Sequence, residues 1–279
     1  PRPELVGRGE LDDLHLGGLP SSVVSVANPL DILNRPSLGC APVGIRMPPA
    51  DAPGRLVSTE PAAVRGPPPE KENTMTDAQK PVAVLVHGAF AESSSFDGVI
   101  VGLQQAGYRT LAVANPLRSV ASDSAYLKRV VDSIPGPVVL VGHSWGGGML
   151  ISQAAVGSPN VTALVYIAAF APDAGESAAD LSESGTLGPT LTAVPLEDGS
   201  NDVYIDPAKY HEQFAGDLPE EQAAVMAVTQ RPIRDAALGE RASSDTPAWR
   251  SLPSYFLFGE QDLNIPVASH RSMAARAAR

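Results

Sequence analysis

From Lys80 onward the sequence alternates short apolar runs with stretches of helical periodicity, and this alternation restricts the fold more than any other feature. Val82 to Val86 is a continuous apolar run rich in β-branched residues, typical of a parallel strand buried on both faces. Strands that alternate with helices at this spacing require right-handed crossovers. The sequence therefore predicts an α/β fold, with a mostly parallel sheet covered by helices on both faces.

The remaining elements follow from apolar periodicity and from glycine or proline at element ends. The predicted strands are Val82–Val86, Tyr108–Ala114, Pro137–Val141, Val161–Ala169 and Ser254–Phe258. The predicted helices are Phe96–Ala106, Ser122–Ile134, Gly146–Val156, Glu220–Gln230 and Pro266–Ala278. The alternation stops between Pro172 and about Pro247, so we expect residues 172–247 to form a helical lid inserted between two strands.

Residues 1–74 differ in composition from the rest of the chain. They hold 13 of the 27 prolines and none of the Phe, Trp or Tyr residues. Such a segment buries too little surface to offset its ordering entropy, and we expect a disordered Pro/Gly-rich extension. Met75 stands just before the first strong strand, which suggests that translation starts there and that residues 1–74 are non-native. A genuine extension is the alternative. The folded domain is then 75–279.

Composition excludes several classes of protein. A net charge of -11 argues against a nucleic-acid partner, which needs a basic face. The single cysteine excludes a disulfide framework and any cysteine-based metal site. No apolar run reaches the length of a membrane-spanning helix, and no secretory signal is recognisable. We expect a cytoplasmic protein that contacts neither nucleic acid nor membrane, and its oligomeric state is open.

Gly142-His143-Ser144-Trp145-Gly146 fits the Gly-x-Ser-x-Gly pattern of a nucleophile elbow. The pentapeptide follows a predicted strand and opens a predicted helix, which is the context that this turn requires. There the serine occupies a strained turn, and the helix N-terminus stabilises developing negative charge. The alternative is a glycine-rich turn with an incidental serine.

Two other strand ends hold candidate catalytic residues. His87-Gly88-Ala89-Phe90 ends the first strand and can aim a backbone N–H at the same point as the N–H after the serine. We assign Ala89 and Trp145 as oxyanion donors, with Phe90 lining the acyl side. Asp262 follows the last strand, where a carboxylate can orient a catalytic imidazole. Asp262 could instead be only a turn or helix-cap residue.

Together these residues resemble the α/β-hydrolase superfamily, and most closely its small serine esterase branch that includes plant methyl esterases and hydroxynitrile lyases. The resemblance covers Pro81 to Arg279. It implies a serine nucleophile, an acyl-enzyme intermediate and no cofactor or metal. It also implies the order Ser, Asp, His along the chain, with the histidine after one further strand.

The histidine that this order requires is missing from the printed chain. Only a helix follows Asp262, so the resemblance implies that the last strand and helix are absent and the chain is C-terminally truncated. His270 lies on the helix after Asp262, at the wrong stage of the fold, and His87 is expected to be a packed structural residue. None of the five histidines is expected to act as the general base: His15, His87, His143, His211 and His270.

The sequence favours a serine hydrolase that cleaves a small carboxylic ester or lactone through an acyl-enzyme on Ser144. The histidine that is absent from this chain would deprotonate Ser144, and Asp262 would hold that histidine. Lid residues Tyr204, Phe214 and Met226 are candidates for an apolar acyl pocket, although each could equally be core. The alternatives are a catalytically inactive ligand binder of the same fold, or lyase or haloperoxidase-like chemistry on the same residues.

Overall fold

A computed structural model describes residues 80–182 and 185–278. The predicted extension, residues 1–74, and the predicted start at Met75 lie outside the described residues. None of the helices in the described part is long and apolar enough to cross a membrane.

Five strands of the described chain form a wholly parallel sheet, and three form a smaller antiparallel one. The strands are β1 (Val82–Val86), β2 (Thr110–Val113), β3 (Val138–His143), β4 (Val161–Ile167), β5 (Leu191–Pro195), β6 (Asn201–Ile205), β7 (Ile233–Arg234) and β8 (Ser254–Leu257). The parallel sheet has the order β2-β1-β3-β4-β8, and the antiparallel sheet the order β5-β6-β7. The predicted parallel sheet is confirmed, and β1 has its predicted bounds.

Helices connect these strands in the described chain. They are α1 (Asp97–Gln105), α2 (Val120–Asp132), α3 (Ser152–Ala154), α4 (Ala178–Leu181), α5 (Pro207–Phe214), α6 (Glu220–Thr229), α7 (Asp235–Gly239) and α8 (Val267–Ala277). Single 3₁₀ turns occur at Ser93–Phe96, Gly188–Thr190 and Ala248–Arg250. The predicted helix Gly146–Val156 begins instead as a π-helix, Gly146–Ile151, and only its next turn, α3, is α-helical.

The centre of the parallel sheet is buried on both faces, as its apolar runs predicted. All five residues of β1 are buried, and successive side chains point to opposite faces. Ala83 and Leu85 pack in the cluster that contains Leu103 of α1. The residues of β1 on the other face belong to the larger core, to which α2, the π-helix and α8 contribute. Helices therefore cover both faces.

The lid, residues 172–247, lies between β4 and β8 and contains α4 to α7. Its predicted helix Glu220–Gln230 is α6. The antiparallel sheet β5-β6-β7 was not predicted, because four of the five residues of β5 are exposed and give no apolar pattern. Asp198-Gly199 in the turn between β5 and β6, with Gly199 at φ 84°, is the signal that could have revealed the hairpin.

A lid side chain completes the N-terminus of a core helix. The hydroxyl of Ser119 caps α2 by accepting a hydrogen bond from the Ser122 N–H at 3.0 Å. The Glu240 carboxylate accepts from the Val120 N–H at 2.7 Å and from the Ala121 N–H at 3.0 Å. The first turn of α2 therefore has both a local acceptor and one from the lid.

Candidate active site

Ser144 occupies the turn between β3 and the π-helix, at the carboxyl end of the parallel sheet. Its φ is 53°, in the left-handed region that side chains rarely adopt. The residue is half-buried, and its hydroxyl makes no hydrogen bond to any described residue. The predicted strained turn at Ser144 is therefore present.

Glycines around Ser144 allow the backbone of the strand, turn and helix to approach closely. A Cβ on Gly146 would lie 1.8 Å from the His87 carbonyl oxygen. A Cβ on Gly142 would lie 2.0 Å from the Cα of Gly147, and one on Gly148 would lie 1.4 Å from the carbonyl oxygen of Phe170. No side chain fits at these positions, so backbone packing alone fixes the turn.

The loop after β1 lies against Ser144. A Cβ on Gly88 would lie 2.6 Å from the Ser144 Cβ and 3.1 Å from its Oγ. The His-Gly-Ala-Phe segment, residues 87–90, and the Gly-x-Ser-x-Gly segment, residues 142–146, therefore form one site.

His87 anchors that loop and is the packed structural residue that was predicted. It is fully buried; its Nδ1–H donates to the Gly88 carbonyl at 3.0 Å, and its Nε2 accepts from the Asn115 N–H at 3.0 Å. Burial lowers the pKa of His87, so the imidazole is neutral at neutral pH. Because C=O and N–H point in opposite directions in a trans peptide, the bond to Gly88 also sets the direction of the Ala89 N–H.

Phe90 and Trp145 each join the site to the lid. Phe90 is 2% exposed, has φ 60°, and its ring meets that of Phe214 edge-on at 6.4 Å. Trp145 is also buried, and its indole N–H donates to the carbonyl of Ala237 in the lid at 3.2 Å.

Asp262 lies in the loop after β8 and is mostly buried. One carboxylate oxygen accepts from the backbone N–H groups of Asn264 and Ile265, at 2.8 and 2.9 Å. The other is 2.9 Å from Nε2 of His270. Burial acts to raise the pKa of Asp262, but the hydrogen bonds from His270 and the two N–H groups outweigh it and hold this pKa below its usual range. The carboxylate is therefore ionised at neutral pH.

His270 is the site residue that sequence reasoning missed. It was expected to lie at the wrong stage of the fold, yet its ring is 1% exposed, contacts Asp262 and stacks on Phe258 at 4.8 Å. The eight-residue spacing from Asp262 into α8 was the available signal. The spacing alone does not reveal that α8 folds back over the loop.

His143 connects the Ser144 turn to the lid. Its ring meets that of Phe214 at 6.1 Å, edge-on. Burial lowers the pKa of His143 to about 4, although the Asp262 carboxylate acts to raise it. The imidazole of His143 is therefore uncharged at neutral pH.

The three proposed lid residues lie in different surroundings. Phe214, at the end of α5, contacts Phe90, His143 and Tyr210 and so lies next to the site. Met226 of α6 is half-buried and packs against the main core. Tyr204 of β6 pairs with Thr192 of β5, and none of the ring contacts of the described residues joins it to Phe214.

No described residue holds a metal site. Groups of three or more His, Cys, Asp or Glu side chains that could bind a metal are absent from the described ranges. His211, the remaining described histidine, donates its Nε2–H to the Leu218 carbonyl, 2.9 Å away in the lid, rather than to Ser144. None of the four described histidines hydrogen-bonds to the Ser144 hydroxyl.

A parallel sheet of this order, with a serine in the tight turn after β3 and a lid between its last two strands, defines an α/β hydrolase. The model of the alpha/beta hydrolase family matches residues 83–279, and the chain belongs to this family.

Similar proteins include two hydrolases and one solved structure. The alpha/beta hydrolase nvfD of Aspergillus novofumigatus is 26% identical over 216 residues, which cover 70% of this chain and 83% of that protein. A carbendazim hydrolyzing esterase of a Nocardioides species is 29% identical over 106 residues, 34% of this chain and 44% of that protein. The crystal structure of polyneuridine aldehyde esterase matches with a TM-score of 0.57 and 20% identity, covering 72% of this chain and 88% of that one.

Proposed function

We propose that the protein is a serine hydrolase that cleaves a small carboxylic ester or lactone, with Ser144 as the nucleophile. The observation that carries this proposal is the half-buried Ser144 hydroxyl in a left-handed turn at φ 53°, next to the Gly88 backbone and ahead of a helix. Attack by its Oγ on the ester carbonyl breaks the bond to the leaving oxygen, and a base carries the serine proton to that oxygen. An ester thus gives a free alcohol and an acyl-enzyme, a lactone gives an acyl-enzyme that keeps the hydroxyl group, and water then hydrolyses the acyl-enzyme to the acid. The proposed chemistry uses no cofactor and no macromolecular partner.

The N–H groups of Ala89 and Trp145 are the proposed oxyanion donors. The loop hydrogen bonds of the described residues use neither of them, so both are available to a ligand. The His87 bond to the Gly88 carbonyl supports a fixed direction for the Ala89 N–H. Donors that are already oriented stabilise the tetrahedral intermediate without reorganisation, and removing one commonly costs about 10²–10³ in rate.

Asp262 is the proposed partner of the catalytic histidine, and that histidine is proposed to be none of the four described ones. His87 and His211 are occupied elsewhere, and the Nε2 of His270 is turned toward Asp262 rather than toward Ser144. Ser144 therefore lacks a base among these side chains, and a small external base should be able to take its place.

The acyl group of the substrate is proposed to lie against Phe90 and Phe214, whose rings meet beside His143. Met226 and Tyr204 are weaker members of this proposed pocket, since neither has a ring or hydrogen-bond contact with those residues. An apolar wall of this kind suits a small uncharged acyl group. The similarity to a carbendazim hydrolyzing esterase agrees with a small ester-like substrate.

The test is p-nitrophenyl acetate hydrolysis by the 279-residue chain with and without added imidazole, using Ser144→Ala as the background. We expect slow turnover alone and at least a ~10-fold rise with imidazole that Ser144→Ala abolishes, since a general base contributes about 10²–10⁴. Equal rates for both proteins would exclude Ser144 as the nucleophile. Turnover without imidazole that His270→Ala abolishes would instead identify His270 as the base.

One observation favours a second candidate, a ligand binder of the same fold: the Ser144 hydroxyl has no base as a partner among the described residues. A fluorophosphonate probe separates the two. Labelling that Ser144→Ala removes supports the hydrolase, whereas no labelling, even with imidazole, supports the binder.

A further inference from the structure

Lid residues hold both backbone polar groups of Phe90. Its N–H donates to the Arg231 carbonyl at 3.2 Å, and its carbonyl accepts from the Tyr210 hydroxyl at 2.8 Å. Phe90 also has φ 60°, a conformation that persists only where surrounding contacts hold it. The residue directly after Ala89 is therefore kept in a strained geometry by two lid contacts.

Tyr210 is built into this contact. It lies on α5, is fully buried, and its ring packs on Phe214 at 5.1 Å, which in turn meets Phe90. Burial raises the pKa of Tyr210, so its hydroxyl stays protonated and remains a donor. The hydroxyl has the Phe90 carbonyl as its partner, although the two residues are 120 positions apart in the chain.

The side chain of Arg231 binds the same loop through Glu92. Its Nη2 lies 2.8 Å from one carboxylate oxygen of Glu92 and 3.1 Å from the other. Glu92 follows Phe90 by two residues, so the guanidinium and the backbone carbonyl of Arg231 bind the same short loop. The lid is thus joined to this loop at both Phe90 and Glu92.

We infer that Tyr210 is a positioning residue that, with Arg231, makes the lid set the orientation of the Ala89 N–H. His87 fixes the peptide before Ala89, through the Gly88 carbonyl, and the lid fixes the two peptides after it. Between these anchors the peptide that carries the Ala89 N–H has little freedom to rotate. The inference rests on the proposed function in one respect, that Ala89 binds an oxyanion.

The experiment compares Tyr210→Phe with a matched control, Tyr166→Phe. Each variant keeps a buried ring and loses one hydroxyl hydrogen bond, since Tyr166 pairs with Ser152 at 2.9 Å in the core. Amide hydrogen exchange of residues 87–92 is measured together with kcat and KM for p-nitrophenyl acetate in imidazole. Tyr210→Phe should speed exchange of the Phe90 amide about tenfold and lower kcat about tenfold with KM unchanged, because small misplacements of catalytic groups are costly. Tyr166→Phe should do neither.

The outcomes separate the two proposals. Unchanged exchange in Tyr210→Phe would overturn the inferred role of Tyr210, and so would faster exchange with unchanged kcat. Lower kcat in both variants would overturn it as well, because loss of stability alone would then explain the effect. Faster exchange in Tyr210→Phe, in a protein whose wild type has no Ser144-dependent turnover, would support the contact between lid and loop and refute the hydrolase.

Discussion

Around Ser144 the chain packs backbone against backbone, whereas the lid is attached to the same region largely through side chains. Gly142, Gly146 and Gly148 leave no room for a Cβ. The lid instead donates the Tyr210 hydroxyl to the Phe90 carbonyl and accepts the indole N–H of Trp145 at the Ala237 carbonyl. One backbone bond, from the Phe90 N–H to the Arg231 carbonyl, adds to these side-chain contacts. A glycine whose missing Cβ lets two backbone segments touch tolerates no side chain, while a side-chain contact can be lost one bond at a time. We call the segment packed by backbone around Ser144, residues 142–148, the Ser144 wall. Substitutions in this wall should therefore cost much stability, and substitutions in the lid contacts should cost less.

The largest expected effect is from Gly148→Ala. Its new Cβ would meet the Phe170 carbonyl oxygen, so backbone must shift, and we expect a loss of about 3 kcal/mol or more in the free energy of unfolding. Gly102→Ala, in α1 with open space around it, is the matched control and should gain about 0.5–1 kcal/mol. Urea denaturation of both variants decides. A loss below ~1 kcal/mol for Gly148→Ala would show that the Ser144 wall accommodates a Cβ at this position.

The second largest effect is the pH dependence of the free energy of unfolding that comes from His143, the residue of the Ser144 wall whose ring meets Phe214 of the lid. The folded-state pKa is about 4 and the unfolded value 6.5, so between these values the unfolded chain binds more protons and stability falls as pH falls. We expect His143 to account for up to about 3 kcal/mol of lost stability between pH 6.5 and 4. His87 acts in the same direction, because burial also lowers its pKa.

Unfolding free energies of the wild type and His143→Gln at several pH values measure the contribution of His143. The variant should decline less steeply over this range. Parallel curves would show that His143 is not desolvated by its contact with Phe214 and the surrounding wall.

The smallest effect is expected in the lid contacts. Trp145→Phe removes the N–H that donates to Ala237, and the loss of this bond should cost about 1–2 kcal/mol, with the cavity adding to it. Trp249→Phe is the control, because its indole N–H donates to the Pro172 carbonyl at 2.9 Å, at the base of the lid. Both should lose similar stability in thermal unfolding, but only Trp145→Phe should slow turnover. Equal turnover would show that the indole contact with the lid does not position the backbone N–H of Trp145.

The local geometry of the Ser144 wall was easier to predict from sequence than the contacts of the lid, for a physical reason. The run Val82–Val86 and the glycines around Ser144 encode local geometry, since apolar alternation and missing Cβ atoms act within a few residues. The contacts of Tyr210 with Phe90 and of His270 with Asp262 depend on where α5 and α8 fold back. No local pattern specifies such a return, so these partners appear only in the three-dimensional structure.

The Glu240 carboxylate on the first turn of α2 limits which lids from other hydrolases could replace this one. Val120 and Ala121 receive their acceptor from the lid, so a lid grafted from another hydrolase would leave two amides of the host helix without one. A chimera should therefore retain an acidic residue at that position of the donor segment. Transplants that ignore it should fray the first turn of α2 before any other part of the core.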